Sequence, residues 1–364
     1  MPGPSRFGRT SAYKPVLAWA AAFGAGWVFV LVMLGAFTTS IGAGMVFQDW
    51  PLSNGSLNPA GWLQNVAMFA EHSHRLSAGI MTTVTLLLAV ALWWSEQRRW
   101  LRRLGGLTLT LVFLQAVVGG LRVRLNPVEV AAVDTSLGQL FAMLHAVLAQ
   151  LFVCALLAIA ASLSRPWIER SAAAMPRMSS KLRRLGLVCC GLLLLQLAIA
   201  AVMRHSFSGL AIPTFPLTPE GGLVPVRWDF GIGLNFAHRS LAGALAVVIV
   251  WFAAAVWRDG TVGAGLKRLG ALMVMLLTVQ IALGATVIWT GRNVYCTTAH
   301  VLVGALTMAA TFLLTWALSR DELERTRFAE VPMEIPGEPR SARPAEATLF
   351  ENPEERDARS SLYA

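Results

Sequence analysis

Four of the six histidines stand at matched places in long apolar stretches of the chain. They are His74, His145, His238 and His300. An imidazole at membrane depth is costly, and two neutral imidazoles on opposite sides of one iron are the axial ligands of a bis-histidine heme. The alternative is that these histidines form hydrogen bonds between helices. Because all four recur in a matched pattern, we favour two pairs of iron ligands.

The sequence around the histidines is duplicated. His74–Gly79 reads HRLSAG, and His238–Gly243 reads HRSLAG. Three further pairs match in the same order: Gln115 with Gln280, Gly119 with Gly284, and His145 with His300. Parallel repeats of this kind predict two halves of the same orientation, with one related site in each.

The two halves differ three residues before the first histidine of each pair. Glu71 stands in the first half and Asn235 in the second. Residues three apart share a helix face, so Glu71 is expected to point to the same cavity as His74. A carboxyl group at membrane depth indicates function by default, although a hydrogen-bonded structural acid is the alternative. We therefore predict chemistry in the first half and a fixed cofactor in the second.

Three more polar residues accompany the histidines. Arg75 and Arg239 each follow the first histidine of a pair, where a guanidinium suits a heme propionate or, alternatively, a lipid phosphate. His72 lies about 200° around the helix from His74, so we expect it to support a ligand or to lie at the surface. His205 is expected in an external loop and not as a ligand.

The elements that position these residues are predicted to be membrane-spanning helices. Hydrophobic residues make up 55% of the 364 positions and charged residues 14%, whereas a soluble domain carries about 25% charged residues. Backbone groups in lipid must be hydrogen-bonded within the segment, so each apolar block is predicted to be α-helical. The predicted spans are 15–39, 66–94, 105–123, 138–163, 184–203, 232–257, 266–290 and 296–318.

The positive charge indicates orientation. The net charge is +10, but Lys and Arg cluster in alternate connections between spans, so nucleic-acid binding is excluded. The positive-inside rule predicts cytoplasmic termini, external loops at 39–65 and 204–231, and histidines near the outer face of the cell (inner) membrane. The predicted fold class is an all-α polytopic membrane protein of eight helices in two duplicated four-helix bundles.

The predicted organisation has five parts. They are a cytoplasmic N-terminus (1–14), a first four-helix half (15–164), a cytoplasmic linker (165–183), a second half (184–318) and a flexible cytoplasmic tail (319–364). The four cysteines form no CxxC or metal-ligand spacing, so neither a disulfide framework nor a zinc site is predicted.

Two segments carry a family resemblance. Gly42–Leu52 resembles the first external loop of heme A synthases, and Glu71–Arg75 resembles their Glu-x-x-His-Arg motif. Histidines 145, 238 and 300 fall where that family has its other three, and the resemblance covers roughly residues 15–318. One bacterial subtype of the family has a cysteine pair in this loop. Phe47 and Ser53 stand at those positions here, so the chain resembles a cysteine-free subtype.

The resemblance implies an oxidoreductase of cytochrome oxidase biogenesis. It would oxidise the C8 methyl group of heme O to the formyl group of heme A, by two successive hydroxylations and loss of water. His74 and His145 would hold the substrate heme O, Glu71 would assist catalysis, and His238 with His300 would ligate the iron of a resident heme b. The implied partners are a heme O synthase, oxidase assembly factors and membrane lipid, and a homo-oligomer stays open.

Three other functions remain open from the residues alone. A di-heme membrane cytochrome b would use four equivalent ligands but gives no reason for an acid beside one pair. A heme transporter or chaperone would need a path for heme release. A heme-free channel would require helices broken by Gly or Pro at matching midplane positions, which the sequence does not show.

Overall fold

The structure is a computed structural model, and it describes residues 12–130, 135–169 and 179–329. Within these ranges, eight helices are long and apolar enough to cross a membrane. The predicted fold class, an all-α polytopic membrane protein, is confirmed. The helices in chain order are α1 (Pro15–Ser40), α2 (Val66–Ser95), α3 (Arg99–Arg124), α4 (Leu137–Leu163), α5 (Arg165–Glu169), α6 (Ser180–His205), α7 (Phe230–Arg258), α8 (Ala264–Trp289), α9 (Val294–Leu318) and α10 (Arg320–Ala329).

Two short elements interrupt the all-helical pattern. Strands β1 (Glu129–Val130) and β2 (Thr135–Ser136) pair antiparallel before α4, and a single 3₁₀ turn at Ser208–Leu210 follows α6. Neither was predicted, because both are too short to give a periodic pattern. They lie in connections and leave the eight spans intact.

The helices that carry the histidines share a side-chain cap at their first turn. Asn65, Ser136, Asp229 and Asn293 each accept backbone N–H groups at the starts of α2, α4, α7 and α9. The other four spans have no side-chain cap of this kind. A capping oxygen satisfies donors that the first turn leaves free, so it fixes where each of these helices begins.

The caps place the histidines at similar distances from the starts of their helices. His74, His145 and His238 each lie nine residues after their cap residue, and His300 lies seven after its own. At 1.5 Å per residue these are rises of about 13 Å and about 10 Å along the helix. The four histidines thus lie at similar distances from the starts of their helices, and their common membrane depth stays a prediction.

The buried apolar residues form two clusters. One collects side chains of α1, α2, α3 and α4, and the other collects those of α6, α7, α8 and α9. The clusters meet through α4 and α9: Ala309 of α9 belongs to the first and Cys154 of α4 to the second. Of the most apolar part of each span, 61% of α4 and 56% of α9 is buried, against 17–28% for the other six. The two central helices are therefore those that carry His145 and His300.

Two helices begin earlier than predicted, and the first part of the predicted tail is helical. α3 begins at Arg99 rather than 105, and α6 at Ser180 rather than 184. The hydropathy pattern missed these turns because their arginines extend the helices beyond the apolar block. Residues 320–329, assigned to a flexible tail, form α10. Residues 330–364, and 1–11 of the N-terminus, lie outside the described part of the chain.

α10 begins in an ion-pair network at the predicted cytoplasmic side. Glu324 lies 3.2 Å from the Nη1 of Arg98, whose Nη2 lies 3.0 Å from Glu96. The indole N–H of Trp167 also donates to Glu324, at 2.8 Å. These contacts join the connection between α2 and α3 to α5 and α10.

Candidate functional site

The first pair of histidines occupies a tight cradle. An added Cβ at Gly35 would lie 2.8 Å from the Cε1 of His74, and one at Gly119 would lie 3.1 Å from the Cε1 of His145. The two imidazoles lie within electrostatic range of each other. The Nδ1 atoms of both rings are buried and form no hydrogen bond with any described residue. Two glycines thus leave room for the two imidazoles.

The second pair is held by two glutamines. The Nε2 of Gln196 lies 3.0 Å from the Nδ1 of His238 and donates to the His238 carbonyl at 2.9 Å. The Nε2 of Gln280 lies 3.3 Å from the Nε2 of His300, whose Nδ1 lies 3.2 Å from the Gln280 carbonyl. The second pair lies within electrostatic range, as the first does. An added Cβ at Gly284 would lie 3.1 Å from His300, which matches Gly119 in the first half.

Each half offers one pair of imidazoles as candidate metal ligands within the described ranges. No group of three or more His, Cys, Asp or Glu side chains that could hold a metal ion occurs in the described ranges. The remaining coordination positions of an iron would have to come from another source. A porphyrin, which supplies four nitrogen ligands in a plane, meets that need with two axial imidazoles.

Glu71 is buried and holds the first external loop. Its Oε2 accepts the backbone N–H groups of Val46 at 2.7 Å and Phe47 at 3.1 Å, and its Oε1 accepts the Nη2 of Arg75 at 2.5 Å. Arg122 lies within electrostatic range of both Glu71 and His74. The Glu71 carboxylate therefore links the loop between α1 and α2 to the region around His74 and His145.

Arg75 and His72 are also bound to that loop. Besides Glu71, the guanidinium of Arg75 donates to the carbonyls of Asp49, Leu52 and Phe47. His72 is buried, and its ring nitrogens lie 3.0 Å from the Oγ of Ser53 and 3.2 Å from the carbonyl of Leu57. The contacts of His72 support the loop, and the expected surface position is wrong.

The loop has its own internal clamp at Asp49. Its carboxylate accepts the backbone N–H groups of Asn54 at 2.8 Å and Gly55 at 2.7 Å. Burial alone would raise the pKa of Asp49, but the hydrogen bonds from Gly55 and Asn54 hold that pKa below its ordinary value. Asp49 is therefore a charged, structural acid of the loop at neutral pH.

The second half repeats these loop contacts with different chemistry. Asn235, the counterpart of Glu71, donates to the carbonyls of Ser208 at 3.2 Å and Gly209 at 3.0 Å. Arg239 donates to the carbonyl of Ile212 at 2.7 Å and lies over the ring of Phe215. The equivalent position thus accepts hydrogen bonds in the first half and donates them in the second.

Several residues near the site were missed by sequence reasoning. Gln196 had no counterpart in the repeat. Arg122 and Arg204 were not singled out in the sequence, yet both lie within electrostatic range of imidazoles. His205, expected in a loop, is the last residue of α6 and lies within electrostatic range of His145. A polar residue inside an apolar block was the available signal for Gln196.

The eight long apolar helices define an all-α polytopic membrane protein. The family described as cytochrome oxidase assembly protein matches residues 17–312. The chain belongs to this family, and the resemblance drawn from its motifs is confirmed.

Individual relatives are similar over most of their length. The protein named heme A synthase from Geobacillus kaustophilus (strain HTA426) is 28% identical over 316 residues, which are 84% of this chain and 90% of the relative. The heme A synthase of Listeria monocytogenes serotype 4a (strain HCC23) is 25% identical over 306 residues, 82% of this chain and 94% of the relative. That of Geobacillus thermodenitrificans is 26% identical over 307 residues, 80% and 88% respectively.

Proposed function

We propose that this chain is a heme A synthase, a membrane oxidoreductase that oxidises the C8 methyl group of heme O to the formyl group of heme A. The observation that carries the proposal is the asymmetry of the two halves. Each has an imidazole pair in a glycine-lined cradle, but only the first has a buried carboxylate, Glu71, beside it. The relatives that match over most of the chain carry the name heme A synthase.

The imidazole pairs fit hemes of different roles. In the first half, the Nδ1 atoms of His74 and His145 form no hydrogen bond with described residues, so no such bond fixes the rings before a substrate binds. In the second half, the amide nitrogens of Gln196 and Gln280 donate toward the rings of His238 and His300. The Nδ1 of His300 also lies 3.2 Å from the Gln280 carbonyl, a contact that orients a metal-ligating imidazole. This difference supports heme O as the substrate of the first site and heme b as the cofactor of the second.

The protein's own groups position and protect the reacting methyl group. When bound, heme supplies iron-based redox chemistry that no side chain can provide. Glu71 and Arg75 hold the loop that follows α1, which would limit access of water to the first site. Glu71 lies three residues before His74 on the same helix, and its carboxylate would take or return protons during two hydroxylations and the final loss of water.

The location and partners follow from this proposal. The chain would span the cell membrane with both termini in the cytoplasm and the heme sites near the outer face. A heme O synthase would supply the substrate, and oxidase assembly factors would receive the product. Pairing of the ligands within each half is part of the proposal, and the electrostatic proximity of His74 to His145 supports it.

A di-heme cytochrome b is the second candidate, and one observation favours it. Glu71 and Asn235 both hydrogen-bond to the external loop of their own half, so the acid has a structural task that needs no chemistry. The cytochrome candidate predicts that all four histidines ligate heme iron and that heme O stays unchanged. The two candidates therefore differ in a product that can be measured.

The experiment is extraction of hemes from cells that make heme O, with and without this chain, followed by mass spectrometry. The proposal predicts heme A, or the C8 hydroxymethyl intermediate, only when the chain is present. A His74→Ala variant serves as the control and should give neither product. Folded, heme-loaded protein with only heme B and unchanged heme O in the extract would favour the cytochrome instead.

A further inference from the structure

The segment 223–230, which joins the second long loop to α7, exposes a run of apolar side chains. Between 55% and 74% of each is exposed in Leu223, Val224, Val226, Trp228 and Phe230. The charged residues of the segment are Arg227 and Asp229, and Asp229 is engaged as the cap of α7. Contiguous apolar surface of this kind marks an interaction site, because leaving it in water is unfavourable.

Trp228 places the segment beside the first turns of α7. Its ring packs edge-on against the ring of Phe236, with the two centroids 5.3 Å apart. An added Cβ at Gly233 would lie 4.0 Å from the Cε3 of Trp228. Gly233 and Phe236 lie about 4.5 Å and about 9 Å along the axis from Phe230, the first residue of α7. The indole therefore lies alongside the first two turns of the helix and not beyond its end.

The length of α7 sets the membrane level of these turns. The helix has 29 residues and is about 43 Å long, whereas the hydrocarbon core is about 30 Å thick. A helix centred in the bilayer therefore leaves about 6 Å at each end in the headgroup layer. Phe236 then lies near the boundary between headgroups and acyl chains, with Trp228 beside it. Tryptophan is enriched at this boundary, because its ring is apolar and its N–H is polar.

The segment is continuous with the lipid-facing surface of α7. One exposed face of this helix carries residues seven positions apart, namely Phe230, Ala237, Ala244 and Trp251. Residues seven apart lie two turns apart on nearly the same side of a helix. Because α7 is long and apolar enough to cross the membrane, this face meets lipid. Phe230 stands at the end of the face and joins it to the exposed side chains of the segment.

We propose that residues 223–230 lie in the headgroup layer of the adjacent leaflet and anchor the start of α7 there. The partner is the lipid surface itself. The apolar side chains reach the acyl boundary, and the exposed guanidinium of Arg227 stays among the phosphates. Trp228 directly precedes the cap residue Asp229, and His238 lies nine residues after that cap. The anchor therefore fixes the depth of His238 in the membrane.

Spin labels at single cysteines measure what surrounds the segment. The background is Cys190→Ala with Cys296→Ala, which removes the two partly exposed native cysteines. Labels at Leu223→Cys and Val226→Cys are studied by EPR power saturation in the full chain, reconstituted at one chain per lipid nanodisc. Oxygen, which concentrates in lipid, should relax both labels more than a water-soluble nickel chelate does, at a depth of about 5–10 Å. Glu220→Cys, exposed in the same loop, is the matched control and should respond more to the nickel chelate.

The two reagents separate lipid from the other environments. Labels at positions 223 and 226 that respond to the nickel chelate as strongly as the control would place the segment in water and overturn the proposal. Labels shielded from both reagents would mean that protein covers the segment, which would also overturn it. Anchoring is tested with a label at Phe230→Cys, which should move toward water when Val224→Asp and Val226→Asp are added. An unchanged depth of that label would overturn the anchoring role.

Discussion

At the scale of single residues, the two imidazole pairs differ in what holds their rings. His238 and His300 are held by glutamine side chains, whereas the Nδ1 atoms of His74 and His145 have no partner among the described residues. An imidazole is oriented before iron binds when the ring nitrogen that does not bind the metal is hydrogen-bonded. Without that hydrogen bond, the ring is not oriented in this way. This favours a resident heme in the second half and an exchanging one in the first.

The glycines beside the histidines give a direct prediction. Gly119→Leu should abolish heme loading of the first pair, because even a Cβ at this position would lie 3.1 Å from the Cε1 of His145. Gly106→Leu is the matched control, since it lies on the same helix and nothing comes within 4 Å of its added Cβ. Heme content per purified protein is measured from the pyridine hemochrome spectrum. Equal heme content in both variants would show that the cradle does not hold the ring.

At the scale of elements, the capped starts of α2, α4, α7 and α9 set the depth of the site. The spans were predictable from hydropathy, because lipid requires long apolar helices and hydropathy measures that requirement directly. The charged first turns of α3 and α6 could not be predicted, because the sequence does not distinguish arginines at a helix end from arginines in a loop. Arg122 and Arg204 were overlooked for a related reason: the contacts that bring them to the imidazoles cross between helices distant in sequence.

One cap can be tested through the stability of the helix that it begins. Asp229→Ala removes the hydrogen bond from the Ile232 N–H to Oδ1, 2.7 Å long, at the start of α7. The loss should destabilise the folded protein by about 1 kcal/mol, the usual effect of a lost cap, and lower the temperature at which heme is released. Asp229→Asn keeps a capping oxygen and should behave like the wild type. Thermal release of heme, followed by the Soret band in detergent, is the measurement.

At the scale of the whole molecule, two four-helix clusters meet along α4 and α9. Ser40, at the end of α1, accepts a hydrogen bond from Arg204 of α6 and lies 3.3 Å from the Oγ1 of Thr298 in α9. The first half is thus fastened to the second near the predicted outer face. The duplication read from the sequence stays a prediction, and the matched contacts of Gly119 and Gly284 with their histidines favour it.

The predicted orientation of the whole chain can be measured with single cysteines. The background is Cys296→Ala, which removes a partly exposed native cysteine near the start of α9; the other partly exposed cysteine, Cys190, lies within the apolar span of α6. In intact cells, a membrane-impermeant maleimide should label Glu220→Cys in the second external loop and should not label Gly260→Cys between α7 and α8. Permeabilised cells should allow both to react. The reverse pattern in intact cells would mean that the heme sites lie near the cytoplasmic face.

The central claim is that the first half oxidises its heme, whereas the second half only binds one. The identity of the hemes bound by the Glu71→Gln variant tests this claim most directly. The variant is purified from cells that make heme O, and its hemes are extracted and identified by mass spectrometry. Glu129→Gln, which changes an exposed acid after α3, is the control. We expect Glu71→Gln to retain heme b and unconverted heme O, with heme A reduced by about a hundredfold or more, the usual contribution of a proton-transfer group. Normal heme A production by Glu71→Gln would contradict the division of work between the halves.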